Sequence, residues 1–202
     1  MDYLTLLASI ALAYLIGSIP SGYILTKMLG FGDIRQVGSG NIGATNVLRT
    51  GNKLLALATL VADLFKGIVS VWLSEPIVME FGFLSFRTEH ITGLAVILGH
   101  LYPVWLGFKG GKGVATSIGV FSGILWQAGL VFCCVWIATA IFFRYSSLSA
   151  LVASTVALLV SLIYGDGATR VLFFVLNVLL FLKHRSNICR LLNGQEPKIR
   201  LT

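Results

Sequence analysis

The sequence predicts one all-α integral membrane domain over residues 1–202. We expect seven transmembrane helices, some short or kinked, with the N-terminus outside and the C-terminus in the cytoplasm. Hydrophobic residues make up 56% of the chain and charged residues 11%, with a mean hydropathy of +0.89, far outside the range of soluble domains. Several uncharged runs can also cross a hydrocarbon layer of roughly 30 Å at about 1.5 Å per helical residue.

The net charge of +7 could indicate a nucleic-acid-binding protein, but the sequence shows no basic face interleaved with aromatic residues. Membrane topology explains the positive charge better, so the lipid bilayer is the predicted large partner and no nucleic acid is expected. The three cysteines lack the spacing of metal ligands, and we expect neither a metal site nor a cofactor.

Residues 3–29 form the predicted first span, which opens after Asp2 and is too long for a signal peptide. Within it, residues 17–22 read Gly-Ser-Ile-Pro-Ser-Gly. This segment should break the helix, because proline lacks a donor and glycine lacks a side chain. Either the break is a plain kink, or Ser18 and Ser21 line a polar cavity beneath the following loop.

The loop after this span, residues 38–53, concentrates groups that bind anions, and we call it the anion loop. Its sixteen residues contain four glycines, three amide side chains, three hydroxyls and two fixed cations, Arg49 and Lys53. Glycines let backbone N–H groups turn toward a ligand, and an arginine can bind phosphate through two parallel hydrogen bonds. The anion loop is therefore predicted to form half of a phosphate site.

The predicted second span, residues 54–73, contains Asp63 and Lys66. Charges inside a span are costly unless they pair, and a spacing of three places both side chains on one helical face. We expect a structural ion pair near the site. Direct contact between Lys66 and a substrate is the alternative.

The predicted third span, residues 91–106, leads into a second glycine-rich segment at residues 107–117. This segment contains Lys109 and Lys112 and is similar to a P-loop, but it lacks the required first glycine and the Ser or Thr after the lysine. Its glycines, lysines and following helix N-terminus would nevertheless attract an anion. Lys109 fits better as a marker of the cytoplasmic end of a span.

Residues 113–143 are uncharged over 31 positions. One helix of that length would reach about 46 Å, beyond the hydrocarbon thickness, so we favour two short spans that turn near residues 127–129. The remaining segments are predicted as a polar junction at 144–149, a span at 151–164, a turn at 165–167, a last span at 171–182 and a basic tail at 183–197.

Charge placement supports this count of spans. Arg87 and Arg170 fall on the predicted outer side, and Lys66 lies within a span. The other twelve of the 15 Lys and Arg residues share the side of the anion loop: Lys27, Arg35, Arg49, Lys53, Lys109, Lys112, Arg144, Lys183, Arg185, Arg190, Lys198 and Arg200. By the positive-inside rule that side is the cytoplasm, so four polar segments should meet at one membrane face. His184, in the tail, would then have a pKa near neutrality and could exchange protons, or it is merely an interfacial residue.

Four motifs in order resemble the bacterial acyl-phosphate:glycerol-3-phosphate acyltransferase family, and together they span nearly the whole chain. They are GSIPSGY at 17–23, GSGNIGATNVLR at 38–49, the segment from Gly99-His100 to FKGGKGVAT at 99–116, and the segment from Asn187 to Glu196. The resemblance implies that a fatty acyl group moves from acyl phosphate to the 1-hydroxyl of sn-glycerol 3-phosphate. The products would be lysophosphatidate and inorganic phosphate, in the first acylation of bacterial phospholipid synthesis.

The resemblance also implies a site on the cytoplasmic face of the bacterial inner membrane and a functional link to the enzyme that makes acyl phosphate. Arg49, Lys112 and His184 would be catalytic, while Glu196 would hold the tail in shape. The implied substrate contacts are Ser21, Ser39, Gly40, Asn41, Gly43, Thr45, Arg49, Gly111, Lys112, Ser147, His184 and Asn187. Ser146 and Ser149 lie beside Ser147 and are alternatives to it.

An acyl phosphate is already activated, so the protein needs mainly to hold two anions together and to stabilise the developing oxyanion and the leaving phosphate. The serines and cysteines lack a recognisable base, so we expect direct transfer without an acyl-enzyme, with the acyl chain entering sideways from the bilayer. The proton could leave through His184 or through the substrate phosphate, and the family favours the phosphate.

Two other classes of protein compete with this interpretation. An organic-phosphate or anion transporter would explain basic loops, but transporters usually show internal repeats and a site at the membrane midplane. Residues 38–43 match the dinucleotide fingerprint G-x-G-x-x-G with Asp63 twenty residues beyond. That match fails because no βαβ unit surrounds the glycines and Asp63 lies in a predicted span.

Overall fold

Apolar runs separated by glycine, proline and serine fold as helices in the computed structural model, which describes residues 3–73, 78–81 and 84–199. Asp2 and Arg200, used above for topology, lie outside these ranges. The helices are α1 (Tyr3–Ser18), α2 (Ser21–Met28), α3 (Ala44–Val47), α4 (Lys53–Trp72), α5 (Thr88–Leu101), α6 (Val114–Ile124), α7 (Trp126–Phe143), α8 (Ser146–Tyr164), α9 (Gly167–Lys183) and α10 (Arg185–Leu192). Between α4 and α5, the strands β1 (Val78–Phe81) and β2 (Leu84–Arg87) form an antiparallel hairpin, which the sequence did not predict.

Several helices have the length and composition of membrane spans. In the described ranges α4, α7 and α8 each qualify alone, and the number rises to five if α1 with α2 and α9 with α10 each form one bent span. Large apolar side chains also face outward on α7, where Leu130 is 56% exposed and Phe142 is 82% exposed. Such a surface suits lipid rather than water. The chain is therefore a multi-pass integral membrane protein.

The predicted break in the first span is confirmed. Helix α1 ends at Ser18, α2 begins at Ser21, and the two axes bend by 42°. Pro20 precedes α2 and supplies no N–H, so the chain leaves helical geometry there without an extra unpaired donor.

The chain also breaks between residues 113 and 143, as predicted, but the predicted position of the turn was wrong. Helix α6 ends at Ile124 and α7 begins at Trp126, so the break falls at Leu125, before residues 127–129. Gly129 lies within α7, where a side chain at that position would collide with Ser122. This glycine permits a close contact between the two helices and does not form the turn.

Two other predicted boundaries were wrong. Helix α5 ends at Leu101, before the predicted residue 106, and Pro103 precedes a short 3₁₀ turn at Val104–Leu106. Helix α8 begins at Ser146, so most of the predicted polar junction at 144–149 is the first turn of a helix.

Glycines bring the helices close together around the core. A side chain at Gly67 on α4 would meet the Thr116 carbonyl of α6, and one at Gly119 would meet the Leu64 carbonyl of α4. Small residues that let backbones touch are typical of membrane helix pairs. Beside this contact, Phe121 packs between Phe132 and Phe173, and its ring centroid is 5.9 Å from the former and 4.4 Å from the latter.

Candidate active site

The anion loop is built around the buried side chain of Asn46, which is 2% exposed. Its amide nitrogen donates to the carbonyls of Ile34, Val37 and Asn41, at 3.1, 2.9 and 2.8 Å. Its oxygen accepts from the backbone N–H of Ser39 at 3.0 Å and from the Ser39 hydroxyl at 3.2 Å. Five hydrogen bonds to one amide therefore fix the course of the chain from residue 34 to residue 46.

Arg49 lies at the edge of this loop with its side chain exposed. Gly38 has φ +55°, and a side chain there would collide with Arg49. Within the described residues no protein group accepts a hydrogen bond from the Arg49 guanidinium, so its donors are free for an anion. On the same loop the Thr45 hydroxyl lies 3.1 Å from the hydroxyl of Ser146, which joins the anion loop to α8.

The second loop, residues 107–113, follows α5 and is called the lysine loop below. The backbone N–H of Gly111 donates to the carbonyl of His100 at 3.0 Å, which folds the loop back onto the end of α5. Lys112 then points across to α10, where its ammonium donates to the Oδ1 atom of Asn187 at 2.6 Å. The lysine loop and α10 are thereby joined directly.

The C-terminal segment brings Glu196 to the same place. One carboxylate oxygen accepts from the Ser147 hydroxyl and from the Asn187 amide, each at 2.6 Å. The other oxygen accepts from Arg190 at 2.7 Å. Glu196 therefore connects the first turn of α8 with α10 and orients the two polar side chains between which it lies.

Three helix N-termini meet around this network, because Lys112 lies just before α6, Ser147 is in the first turn of α8 and Asn187 is in the first turn of α10. The capping positions Gly113, Tyr145 and His184 provide no side-chain hydrogen bond to these helix ends. The first N–H groups of a helix carry partial positive charge and attract anions when they are uncapped. The arrangement can therefore bind more than one phosphate oxygen.

The charges of the site are tuned by burial and by one another. Burial lowers the pKa of Lys112 to about 8, with Arg190 and Arg49 acting in the same direction and Glu196 opposing them. For Glu196 burial raises the pKa, but hydrogen bonds from Ser147, Asn187 and Arg190 outweigh it, and the net shift is downward. At neutral pH Lys112 is therefore mainly an ammonium and Glu196 a carboxylate.

His184 differs from the prediction of a near-neutral pKa. It is 3% exposed, and burial lowers its pKa to about 4. Its Nδ1 atom lies 2.8 Å from the carbonyl of Leu180 and can donate to it, which places the lone pair of the neutral ring on Nε2. The prediction failed because the degree of burial at the α9–α10 bend depends on the fold. His184 is a neutral hydrogen-bond acceptor rather than a group that titrates near pH 7.

The three candidate serines have different surroundings. Ser147 is 6% exposed and donates to Glu196. Ser146 pairs with Thr45, and Ser149 donates to the Tyr145 carbonyl of its own helix. Of these serines, Ser147 is the one that shares the Glu196 network with Asn187 and Lys112.

Half of the twelve predicted site residues share this region. Direct contacts link Thr45 to Ser146 on α8, Lys112 to Asn187, and both Asn187 and Ser147 to Glu196. The charge of Arg49 also acts on the pKa of Lys112, and the charge of Lys112 on that of His184. The other six predicted residues make these contacts in the described chain, and their contact with substrate stays a prediction: Ser39 bonds Asn46, the Asn41 carbonyl accepts from Asn46, Gly40 turns the loop with φ +70°, Gly43 precedes α3, Gly111 packs on His100, and Ser21 is buried in the first turn of α2.

Two residues important to this geometry were not among the predicted site residues. Asn46 organises the anion loop and Arg190 binds Glu196. The density of amides in residues 38–53 was a signal for Asn46, but nothing in the sequence distinguishes it from Asn41. Arg190 follows Asn187 by three positions, a helical spacing that allows both side chains to reach one carboxylate.

Comparison with known proteins adds independent findings. A family model described as glycerol-3-phosphate acyltransferase matches residues 7–194. Curated proteins named glycerol-3-phosphate acyltransferase from Brucella ovis and Mesorhizobium japonicum are 52% and 50% identical to the chain over 194 residues. Each alignment covers 96% of this chain, with 93% of the Brucella ovis protein and 96% of the Mesorhizobium japonicum protein.

Two solved structures are similar over nearly the whole chain. Both are crystal structures of PlsY (YgiH), an integral membrane glycerol 3-phosphate acyltransferase. The glycerol 3-phosphate form has a TM-score of 0.88 and 38% identity, covering 96% of each chain. The lysophosphatidic acid form has a TM-score of 0.85 and 36% identity, covering 96% of this chain and 94% of that one.

Proposed function

The chain belongs to the glycerol-3-phosphate acyltransferase family, and on that basis we propose that it transfers a fatty acyl group from acyl phosphate to the 1-hydroxyl of sn-glycerol 3-phosphate. The products are lysophosphatidate and inorganic phosphate. The chain is an acyltransferase. Acyl phosphate as the donor, and the roles of the individual residues, are proposed.

The observation that best supports this reaction is the meeting of two cations and three uncapped helix N-termini. Arg49 and Lys112 are near enough for the charge of one to lower the pKa of the other. Such mutual repulsion favours binding of anions between them, because each bound phosphate offsets it. A reaction that joins two phosphorylated substrates needs this excess of positive charge.

In the proposed reaction the glycerol 3-phosphate hydroxyl attacks the acyl carbonyl carbon, and the bond from that carbon to the phosphate oxygen breaks. Arg49 holds a phosphate through paired donors, and Lys112 neutralises charge on the leaving phosphate. The hydroxyl hydrogen of Ser147 is already donated to Glu196, so toward a substrate Ser147 presents lone pairs. We therefore assign Ser147 to accept from the glycerol hydroxyl, with Asn187 holding Lys112 in place.

The proton released by the hydroxyl goes to the leaving phosphate in this proposal. When the carbon–oxygen bond breaks, the leaving phosphate gains a negative charge and becomes a strong base, whereas burial lowers the pKa of His184 to about 4. The phosphate is then the stronger base of the two. His184 can still accept a hydrogen bond at Nε2 from a substrate donor other than the 1-hydroxyl, whose single hydrogen passes from Ser147 to the phosphate.

An apolar groove supports sideways entry of the acyl chain. The groove is shallow and open, has a volume of about 390 Å³, and is lined along one face of α9 and the start of α10 by Asn177, Val178, Phe181, Leu182 and Arg185. Its Arg185 end is next to His184 in the chain. We assign the acyl chain to this groove, where it would stay in contact with lipid.

We assign the site to the cytoplasmic face of the bacterial inner membrane and the N-terminus to the outside. Seven spans follow if α5 and α6, of 14 and 11 residues, are counted with α1–α2, α4, α7, α8 and α9. The contacts from Lys112 through Asn187 and Glu196 to Ser147 support this count. Because these contacts join the two ends of the α6–α7 segment, we infer that the segment runs outward and returns.

The alternative of an organic-phosphate transporter gains no support. The comparisons name acyltransferases, and the polar network lies at helix ends rather than at mid-helix. A functional link to the enzyme that supplies acyl phosphate would fit the proposed donor.

A donor-swap assay tests the proposal. Purified protein in lipid is given radiolabelled glycerol 3-phosphate with acyl phosphate, acyl-CoA or acyl carrier protein as the donor. We expect labelled lysophosphatidate with acyl phosphate and little with the other donors. Equal or better turnover with a thioester would contradict the proposed donor, and liposome uptake of unmodified glycerol 3-phosphate would support a transporter.

A further inference from the structure

We propose that Asp63, Lys66 and His100 are positioning residues that hold the anion loop and the lysine loop in a fixed relation. This inference rests on the proposed function, because it concerns how the two phosphate-binding loops are supported. All three side chains are buried, and within the part of the chain that the structure describes none of them hydrogen-bonds to Glu196 or its partners.

The first part of this cluster is the ion pair predicted from the sequence. Lys66 and Asp63 lie 2.8 Å apart, with side chains 6% and 4% exposed, so the predicted pair is confirmed. The Lys66 ammonium also donates to the carbonyl of Ile19 at 2.9 Å. Because the carbonyl lies in the break between α1 and α2, Lys66 is used structurally and is not free for a substrate.

This bond reaches the anion loop through α2. Ile19 immediately precedes Pro20 and the first turn of α2, so its position sets the direction in which α2 leaves the break. At Gly22 the α2 backbone lies against the carbonyl of Ile42, where any side chain would collide. A change in the direction of α2 would therefore move Ile42, which lies inside the anion loop.

His100 connects the same ion pair with the lysine loop. Its Nδ1 atom is 3.7 Å from the Asp63 carboxylate and has no hydrogen-bond partner within the described chain. On the other side of the ring, Nε2 abuts Gly111, where a side chain would collide with it, and Gly111 adjoins Lys112. The imidazole therefore fills the space between Asp63 and the backbone that carries Lys112.

A charged cluster is costly to bury unless its members stay paired, which makes its geometry resistant to change. Asp63 and Lys66 lie about one turn apart on α4, so their backbone positions are fixed relative to each other. Lys66 contacts the break at Ile19 and Asp63 contacts the ring of His100, so both are held against the same helix. Each loop is thus supported from α4, and the distance between their cations is set there.

The experiment uses two variants of the full-length protein in lipid, the double variant Asp63→Asn/Lys66→Met and the single variant His100→Gln. Removing both charges avoids leaving one buried charge unpaired, so the double variant should keep a Tm near that of the parent. If the cluster positions the loops, KM for glycerol 3-phosphate rises about tenfold in the double variant while kcat falls less, as expected for weakened substrate binding. His100→Gln should raise KM for at least one phosphorylated substrate severalfold.

Ser70→Ala is the matched control, because Ser70 is a buried polar residue on the same helix and lies outside the cluster. It should leave both KM values unchanged. A folded double variant with the parent KM values would overturn the proposal whatever its Tm, since the two loops would then keep their relation without the pair. If the double variant does not fold, unchanged KM values in His100→Gln overturn it instead.

A binding readout separates this proposal from the choice of acyl donor. Glycerol 3-phosphate should raise the Tm of the parent without any acyl donor, and the rise should shrink in the double variant. Failure of the parent to use acyl phosphate would contradict the proposed donor and leave this readout intact. An equal Tm rise in parent and double variant would contradict the positioning role.

Discussion

Among single residues, Arg49 bears most directly on the proposed phosphate site. Its exposed guanidinium has no protein partner in the described ranges, so its donors are available to a ligand. We expect Arg49→Ala to lower kcat/KM about a hundredfold, because paired charge-assisted hydrogen bonds to a phosphate are lost. Steady-state kinetics with both substrates measures this.

Lys53→Ala is the control for that change, since Lys53 is an exposed cation at the start of α4. Its removal should alter kcat/KM by less than about threefold if the effect of Arg49 is local rather than a general loss of positive charge. Near-normal turnover of Arg49→Ala would rule out the anion loop as the phosphate site.

Lys112 gives a prediction about pH. Burial lowers its pKa to about 8, so the ammonium that binds phosphate predominates below pH 8 and is lost as the pH rises through that value. We expect kcat/KM of the parent to fall above pH 8. Lys112→Arg should have a lower maximum but stay level to about pH 10, because a guanidinium remains charged.

The profile is measured from pH 6 to 10, with Lys109→Arg as the control from the same loop. Lys109 is exposed, and its replacement should leave the alkaline decline where the parent has it. An alkaline decline that persists unchanged in Lys112→Arg would assign it to another group.

At this scale the sequence predicted Arg49 and Lys112 as phosphate-binding residues, because cations among glycines have few structural uses. It did not allow the state of His184 to be predicted. The pKa of about 4 arises from burial at the α9–α10 bend, and burial depends on neighbours that are remote in sequence. Ser147 could not be separated from Ser146 and Ser149 for the same reason, since its partner Glu196 is 49 positions away.

Among the structural elements, the anion loop depends on Asn46 more than on any residue predicted to bind substrate. Asn46→Ala removes five hydrogen bonds and leaves buried carbonyls without a donor. We expect it to lower the free energy of unfolding by about 3 kcal/mol and to raise KM for glycerol 3-phosphate. Thermal denaturation and kinetics in the same lipid measure the two effects.

Asn52→Ala is the matched control in the same loop. Asn52 accepts one hydrogen bond, from the N–H of Leu55, as the N-cap of α4. Loss of an N-cap costs about 1 kcal/mol and should leave KM unchanged. If the two substitutions changed the free energy of unfolding and KM equally, Asn46 would have no special role in organising the anion loop.

The breaks between elements were predictable where glycine or proline interrupts an apolar run, as at residues 17–22. Their positions were less predictable elsewhere. The turn expected at 127–129 falls at Leu125 because Gly129 is used for contact with Ser122, and such a contact cannot be recognised before the helix pair is known. The hairpin of β1 and β2 was missed because each strand has only four residues and β1, with the sequence Val-Met-Glu-Phe, shows no alternation.

For the whole molecule, the proposed topology predicts which surfaces are reachable from outside the cell. After Cys133, Cys134 and Cys189 are replaced, single cysteines are placed at the exposed positions Lys53, Lys109 and Arg170. A maleimide that cannot cross the membrane should modify the cysteine at 170 in intact cells and all three in permeabilised cells.

Modification of the cysteine at 109 in intact cells, with that at 53 protected, would place the two loops on opposite faces. The shared site could not then exist. The positive-inside pattern predicts from charge alone that the two loops share one face, but it could not show the contacts that join Lys112, Asn187, Glu196 and Ser147.

The hydrogen bonds to Glu196 also bear on the order of biosynthesis. Ribosomes make the chain from its N-terminus, so Glu196 is added after every helix from α1 to α10 has been synthesised. Ser147 and Asn187 can therefore form their hydrogen bonds to Glu196 only after the helices have been synthesised. A nascent chain would therefore have its lipid-facing helices before its polar network is complete. We expect a translation product that stops before Glu196 to have no activity on metabolites in the cell.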